Sequence, residues 1–237
     1  MHARIPLKLA FMELNRMDIR LLLISHASTA AMRAARFPAD DPLDAPGLAD
    51  AGAARARLSI PDNAATFVSP AVCARDTASA LGLDAIVHEG LADMDYGVWH
   101  GRRLADLAVE APLELAAWTH DPDAAAHRGE SFSELVKRVG RWLDSLDDTL
   151  SKTVSKSVTH AKDSAPGDGT NKAPRDMQNA QNAQNVVAVT HAAVIRAAII
   201  HALGASPAIF SRIEIAPLSM IELRRSRRGW TWWPASH

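Results

Sequence analysis

Two runs of aliphatic residues, far apart in the chain, each end on a histidine. Leu21-Leu22-Leu23-Ile24 leads into Ser25-His26, and Val186-Val187-Ala188-Val189 leads into Thr190-His191. Neither run alternates polar with apolar residues, so each reads as a strand buried on both faces. Strands of that kind belong to parallel sheets covered by helices on both sides. Histidines at their C-terminal ends fall where open α/β sheets gather their ligands. The bland alternative is a pair of ordinary core histidines.

The rest of the chain supplies the alternation such a sheet needs. Residues 29–36 and 47–58 are alanine-rich and read as helices. Between them, 37–43 is a loop, because two prolines and two aspartates break any period. Residues 66–68 form a short strand, 71–81 a helix and 85–88 another short strand. Residues 104–118 and 131–150 are helical, the second with Phe132, Leu135, Val136, Val139 and Leu143 at helical spacing. A helix over 193–203 and a strand-rich end over 219–233 follow the second histidine. The expected architecture is a three-layer α/β/α domain with a mostly parallel central sheet, spanning 17–237.

Two segments stand apart. Residues 1–16 are basic and weakly amphipathic, without the apolar core of a secretory signal, and read as a disordered terminal extension. Residues 151–185 are rich in Lys, Ser, Asn and Gln, include Asn-Ala-Gln-Asn-Ala-Gln-Asn, and hold almost no large apolar side chains. They cannot bury enough surface to offset their ordering entropy and read as a disordered surface insertion, with a partner-binding loop as the alternative.

A net charge of −1 makes no electrostatic case for nucleic acid or an anionic membrane as partner. The one cysteine, Cys73, excludes an internal disulfide and suits a reducing cytoplasm. No apolar stretch approaches the ~18 residues a membrane span requires. The arginine-rich stretch 224–228 reads as a solvated hairpin end before a strand carrying Trp230, Trp232 and Trp233.

Five blocks, in order, resemble the histidine phosphatase superfamily, in the branch of cofactor-dependent phosphoglycerate mutases and α-ribazole phosphatases. The first is Ser25-His26-Ala27-Ser28-Thr29 with Met32-Arg33, Arg36-Phe37, Asp41-Pro42-Leu43 and Gly47. The second is Ser69-Pro70-Ala71-Val72-Cys73-Ala74-Arg75-Asp76-Thr77-Ala78. The third is Leu91-Ala92-Asp93-Met94-Asp95-Tyr96-Gly97-Val98-Trp99-His100-Gly101. The fourth is Gly129-Glu130-Ser131, and the fifth Val189-Thr190-His191-Ala192-Ala193-Val194-Ile195-Arg196.

The resemblance implies a phosphoglycerate mutase-like fold and a phosphohistidine reaction. His26 would attack the phosphoryl group, Asp93 would protonate the leaving oxygen, and His191 would stabilise the transferring group. Ser25, Ser28, Thr29, Cys73, Arg33, Arg36 and His100 would line the substrate site. No cofactor is implied, and the partner would be a small phosphorylated metabolite. In this register Ser25 and Cys73 stand where the family has phosphate-binding arginines, and Met32 where it has an asparagine. Two lost charged hydrogen bonds are worth ~3–6 kcal/mol, or roughly 10²–10⁴-fold in rate if both act on the transition state. Arg33, Arg36, Arg75, Arg102 and Arg103 are the candidates to compensate, although Arg75, about 200° round a helix from Cys73, should point away.

Three functions follow. The chain is a weak or specialised phosphomonoesterase, which predicts a guanidinium reaching the pocket. It is a pseudo-phosphatase binding a ligand or partner, which predicts none. Or Cys73, His26, His191 and Asp93 hold zinc or a similar metal, which predicts Cys73 Sγ within about 4 Å of both imidazoles.

Overall fold

The computed structural model describes residues 18–148, 150 and 184–234. The expected extension over 1–16 and nearly all of the expected insertion lie outside these residues. Six strands form one sheet: β1 (Ile19–Ser25), β2 (Ala65–Val68), β3 (Ile86–Val87), β4 (Gln184–Thr190), β5 (Met220–Ser226) and β6 (Gly229–Trp233). Their order is β3-β2-β4-β1-β5-β6. The pairs β1–β4, β2–β4 and β2–β3 are parallel, and β5 and β6 close one edge antiparallel.

Strand pleating divides the core into two layers. Leu21, Leu23, Val186 and Ala188 face one side, against the helices α6 (Phe132–Asp144) and α7 (Ala192–Leu203). Leu22, Ile24, Val187 and Val189 face the other, against α2 (Ala45–Ala54) and α3 (Val72–Ala80). The unbroken apolar run is thus needed because each alternate residue meets a different helical layer. The α/β/α architecture is the expected one.

Several boundaries differ from expectation. The first helix is a single turn, α1 (Ala30–Arg33), capped by Thr29 Oγ1 accepting from Met32 N–H. The helix expected over 104–118 is two, α4 (Leu104–Glu110) and α5 (Pro112–His120), because Pro112 cannot donate into a continuing helix but suits the first turn of a new one. Gln184 and Asn185, expected in the insertion, belong to β4 and pair with Ile19 and Arg20. The arginine-rich stretch is only partly solvated: Arg227 and Arg228 turn the hairpin, but Arg225 is buried and pairs with Asp147 at 3.2 Å. Trp230 packs into the core, while Trp232 and Trp233, at the end of the edge strand, are both exposed.

Candidate active site

The parallel pairing of β1 with β4 sets Ser25 opposite Thr190, so both chains leave the sheet side by side. His26 N–H then donates to Thr190 O at 2.8 Å. The two imidazoles meet edge to face with ring centroids 5.0 Å apart. Both rings are buried.

The hydrogen bonds set the chemistry of each ring. His26 Nδ1 lies 2.7 Å from Ala27 O. A carbonyl only accepts, so Nδ1 carries the proton and Nε2 keeps its lone pair. Burial, then the neighbouring His191, push the His26 pKa down to about 4, and the Ala27 carbonyl only partly opposes them. His26 is therefore neutral at neutral pH, with a lone pair on Nε2. His191 shares a 2.8 Å hydrogen bond through Nε2 with Ser69 Oγ. Its Nδ1 lies 3.3 Å from Asp93 Oδ2 but is not aligned for a hydrogen bond, leaving a buried nitrogen without a partner. Burial, then the Arg138 charge, bring His191 down to about 3.

Asp93 sits on the loop after Leu91, with Oδ1 accepting from Met94 N–H at 2.8 Å. Burial raises its pKa to about 6 against the pull of that amide and of His26. Arg138, from α6, holds the loop in place. Its guanidinium donates to Glu130 Oε1 and Oε2 and to the carbonyls of Gly90, Ala92 and Asp93. Glu130 accepts this arginine just before Ser131 and Glu134 form a reciprocal cap on α6. Gly129 passes so close to Asp95 O that a Cβ there would overlap it. The Gly-Glu-Ser block thus anchors the loop that carries Asp93, a role that the sequence reading did not assign.

The rings open into a cavity with two lobes. One, of about 250 Å³, is bounded by Cys73, Asp40, Asp41, Asp95 and His100. The other, of about 310 Å³, is bounded by Phe37, Leu104, Trp118 and Arg196. His26, Asp93, His191, Arg36, Met32 and Tyr96 line both. The cavity also meets the starts of two helices: Ala71 caps α3, and His191 caps α7.

The expected site residues divide accordingly. His26, Asp93, His191, Thr29, Cys73, Arg36 and His100 line the cavity. Ser25, Ser28 and Arg33 do not, against expectation. Ser25 is buried between β4 and the chain at Ser219, to whose carbonyl its N–H donates at 3.0 Å. Ser28 Oγ and Asp44 instead engage Arg33, which lies at the surface. His100 sits at the rim, its Nδ1 donating to Gly97 O at 2.7 Å. Arg75 is exposed, as its angular position predicts. Arg102 pairs with Glu110, and Arg103 bridges Arg36 backbone to backbone. Two guanidiniums do line the cavity. Arg36 lies 3.3 Å from Asp41 Oδ1. Arg196 donates from Nε to Ile213 O at 2.6 Å. Arg196 closes the fifth sequence block, and its position just past the first turn of α7, five residues after the N-cap His191, was the signal that could have found it.

Comparison with known proteins agrees with this fold. The pattern of the histidine phosphatase superfamily (branch 1) matches residues 21–162 and 170–233. Over 134 residues the chain is 33% identical to the bifunctional protein Rv2228c of Mycobacterium tuberculosis and to the uncharacterized protein Mb2253c of Mycobacterium bovis, covering 54% of this chain and 37% of theirs. The chain therefore spans little more than a third of the length of these curated relatives. Among solved structures, a mycobacterial glucosyl-3-phosphoglycerate phosphatase superposes with TM-score 0.66 at 23% identity, covering 92% of this chain and 100% of the other. A putative alpha-ribazole-5'-P phosphatase of Escherichia coli superposes with TM-score 0.69 at 21% identity, covering 91% and 94%. At such identities these structures establish the shared fold. With the family pattern spanning nearly all the described strands and helices, the chain belongs to the histidine phosphatase superfamily, branch 1.

Proposed function

We propose that the protein is a slow phosphomonoesterase that works through phospho-His26. The observation that carries this reading is the hydrogen bond of His26: Nδ1–H is committed to Ala27 O, which leaves Nε2 of this cavity-lining ring with its lone pair free. In the first step Nε2 forms a bond to phosphorus and the ester oxygen leaves. Asp93, whose burial keeps a proton on it up to a pH of about 6, gives that oxygen its proton in mildly acidic solution. Water then attacks the phosphohistidine and releases phosphate.

The substrate's phosphate would lie between the imidazoles, near the N-terminal ends of α3 and α7, whose peptide dipoles favour an anion. Arg36 and Arg196 are the cations closest in character to the arginines that the family has elsewhere. The lobe with Phe37 and Trp118 favours an ester with an apolar or aromatic leaving group. The substrate class is a small phosphorylated metabolite, met in the reducing cytoplasm that the single cysteine suits. Asp40, Asp41 and Asp95 favour the competing reading of an impaired phosphatase, because they oppose a dianion.

Hydrolysis of p-nitrophenyl phosphate tests the proposal. It should be slow, and His26→Ala should abolish it. Cys73→Arg should accelerate it about 10–100-fold, the value of one restored charged hydrogen bond of ~1.5–3 kcal/mol. Hydrolysis that persists in His26→Ala at the native rate would refute phospho-His26.

A further inference from the structure

We infer that the polar lobe of this cavity is a transition-metal site whose ligands are His26, Cys73 and His191. The inference does not rest on the phosphatase reading: the two share His26, but each has its own test and either can fail alone.

Three side chains from three separate elements converge here: His26 from the end of β1, Cys73 from the first turn of α3 and His191 from the end of β4. Their donor atoms lie within 4.8 Å of one another, and all three residues are buried. Two imidazoles and a thiol make a borderline-soft donor set that suits zinc or cobalt better than magnesium or calcium. Tetrahedral zinc holds neighbouring N and S donors roughly 3.5 Å apart. Closing the cluster round an ion therefore takes about an ångström of side-chain movement.

Two further observations point to a cation. His191 Nδ1 is a buried ring nitrogen with no hydrogen-bond partner. Such a nitrogen is costly unless a ligand satisfies it. The lobe's lining is also acidic. Asp40, Asp41, Asp93 and Asp95 face it against one guanidinium, Arg36, which is already engaged by Asp41. That balance attracts a cation and opposes a phosphate dianion. Asp93, whose Oδ2 lies 3.3 Å from His191 Nδ1, or a water would complete four-coordination. Cys73 would bind as the thiolate, its proton passing to solvent. His26 would bind through Nε2, the nitrogen not committed to Ala27 O. An ion held there occupies the nucleophile's lone pair, so metal and phosphoryl transfer exclude each other.

Cobalt(II) chloride added to the full chain provides the test. Cys73 is the only cysteine, so a near-ultraviolet thiolate-to-cobalt charge-transfer band reports this site alone. The native protein should show that band together with the intense visible bands of tetrahedral cobalt. Zinc chloride should bleach both and raise the thermal midpoint. Cys73→Ser should abolish the charge-transfer band. His26→Gln and His191→Gln should each weaken cobalt binding at least tenfold. The native protein lacking the band at millimolar cobalt would overturn the inference without reference to any folded variant. So would a band of unchanged intensity and midpoint in both histidine variants. Neither result bears on whether His26 supports hydrolysis.

Discussion

A single carbonyl decides what His26 can do. Ala27 O fixes the proton on Nδ1, and burial keeps the ring neutral down to a pH of about 4. Asp93 is the mirror case: burial keeps its proton on up to about 6. The proposed reaction needs an unprotonated nucleophile and a protonated acid, and the two coexist only between those values. Hydrolysis should therefore peak in mildly acidic solution, with kcat/KM falling on both sides as the coupled pair titrates. The alkaline limb belongs to Asp93, so Asp93→Asn should lower the rate and flatten that limb. A profile in the native protein that rises steadily from pH 5 to pH 9 would remove Asp93 as the proton donor. At this scale the two histidines were legible, because each ends a strand and a residue's place on a strand survives in the sequence. Asp93, which lines the same cavity, was legible only through its block. The failure at Ser25, Ser28 and Arg33 has one cause: motif position says which residues are near a histidine in sequence, not which way their side chains turn. Ser25 alternates inward beneath β5's connection, and Arg33 finds Asp44.

At the scale of elements, burial pattern predicted existence well and length less well. The β1 and β4 strands were visible as unbroken aliphatic runs. The split between α4 and α5 was written in Pro112, inside a window whose helical period alone suggested one helix. The strand next to the edge of the sheet shows how charge is handled away from the site. Glu222, on β5, is buried and receives Arg20 on one side and Arg224 on the other, at 2.9 and 2.5 Å. Burial by itself would raise its pKa, but the hydrogen bonds and charges of the two arginines outweigh it and hold the carboxyl below the ordinary glutamate value. A lowered folded pKa means that its contribution to stability is fully present above the unfolded value of ~4.3 and is lost as pH falls through the folded one. Glu222→Gln should therefore lower the thermal midpoint at pH 7 and narrow the gap to the native protein in strongly acidic solution. An equal deficit at both pH values would show that Glu222 acts through packing and not through its charge.

For the whole molecule, the consequence of the strand order is that β1 and β4 sit in the middle of the sheet, each paired on both sides. The site is carried by the most interior strands. The fold was legible for that reason, since interior strands must be apolar throughout, whereas cavity shape depends on rotamers that no period encodes. The segment between α6 and β4 tests how far this separation goes. The family pattern matches on either side and skips 163–169. Residues 156–180 hold only Val158 and Met177 as larger aliphatic side chains, too little apolar area to add much to stability at ~25 cal/mol per Å². Leu150 and Val186, which bracket the segment, already share one core cluster with Leu143 and Leu21, so a short connection has only to join two points of the same layer. Because a shorter loop also costs less closure entropy, replacing 156–180 by a brief Gly-Ser linker should leave the thermal midpoint within a few degrees of the native value. It should also leave the cobalt spectrum unaltered. Loss of soluble protein, or a midpoint lowered by more than ~10 °C, which for a domain of this size corresponds to several kcal/mol, would mean that the segment packs on the domain and is part of its fold.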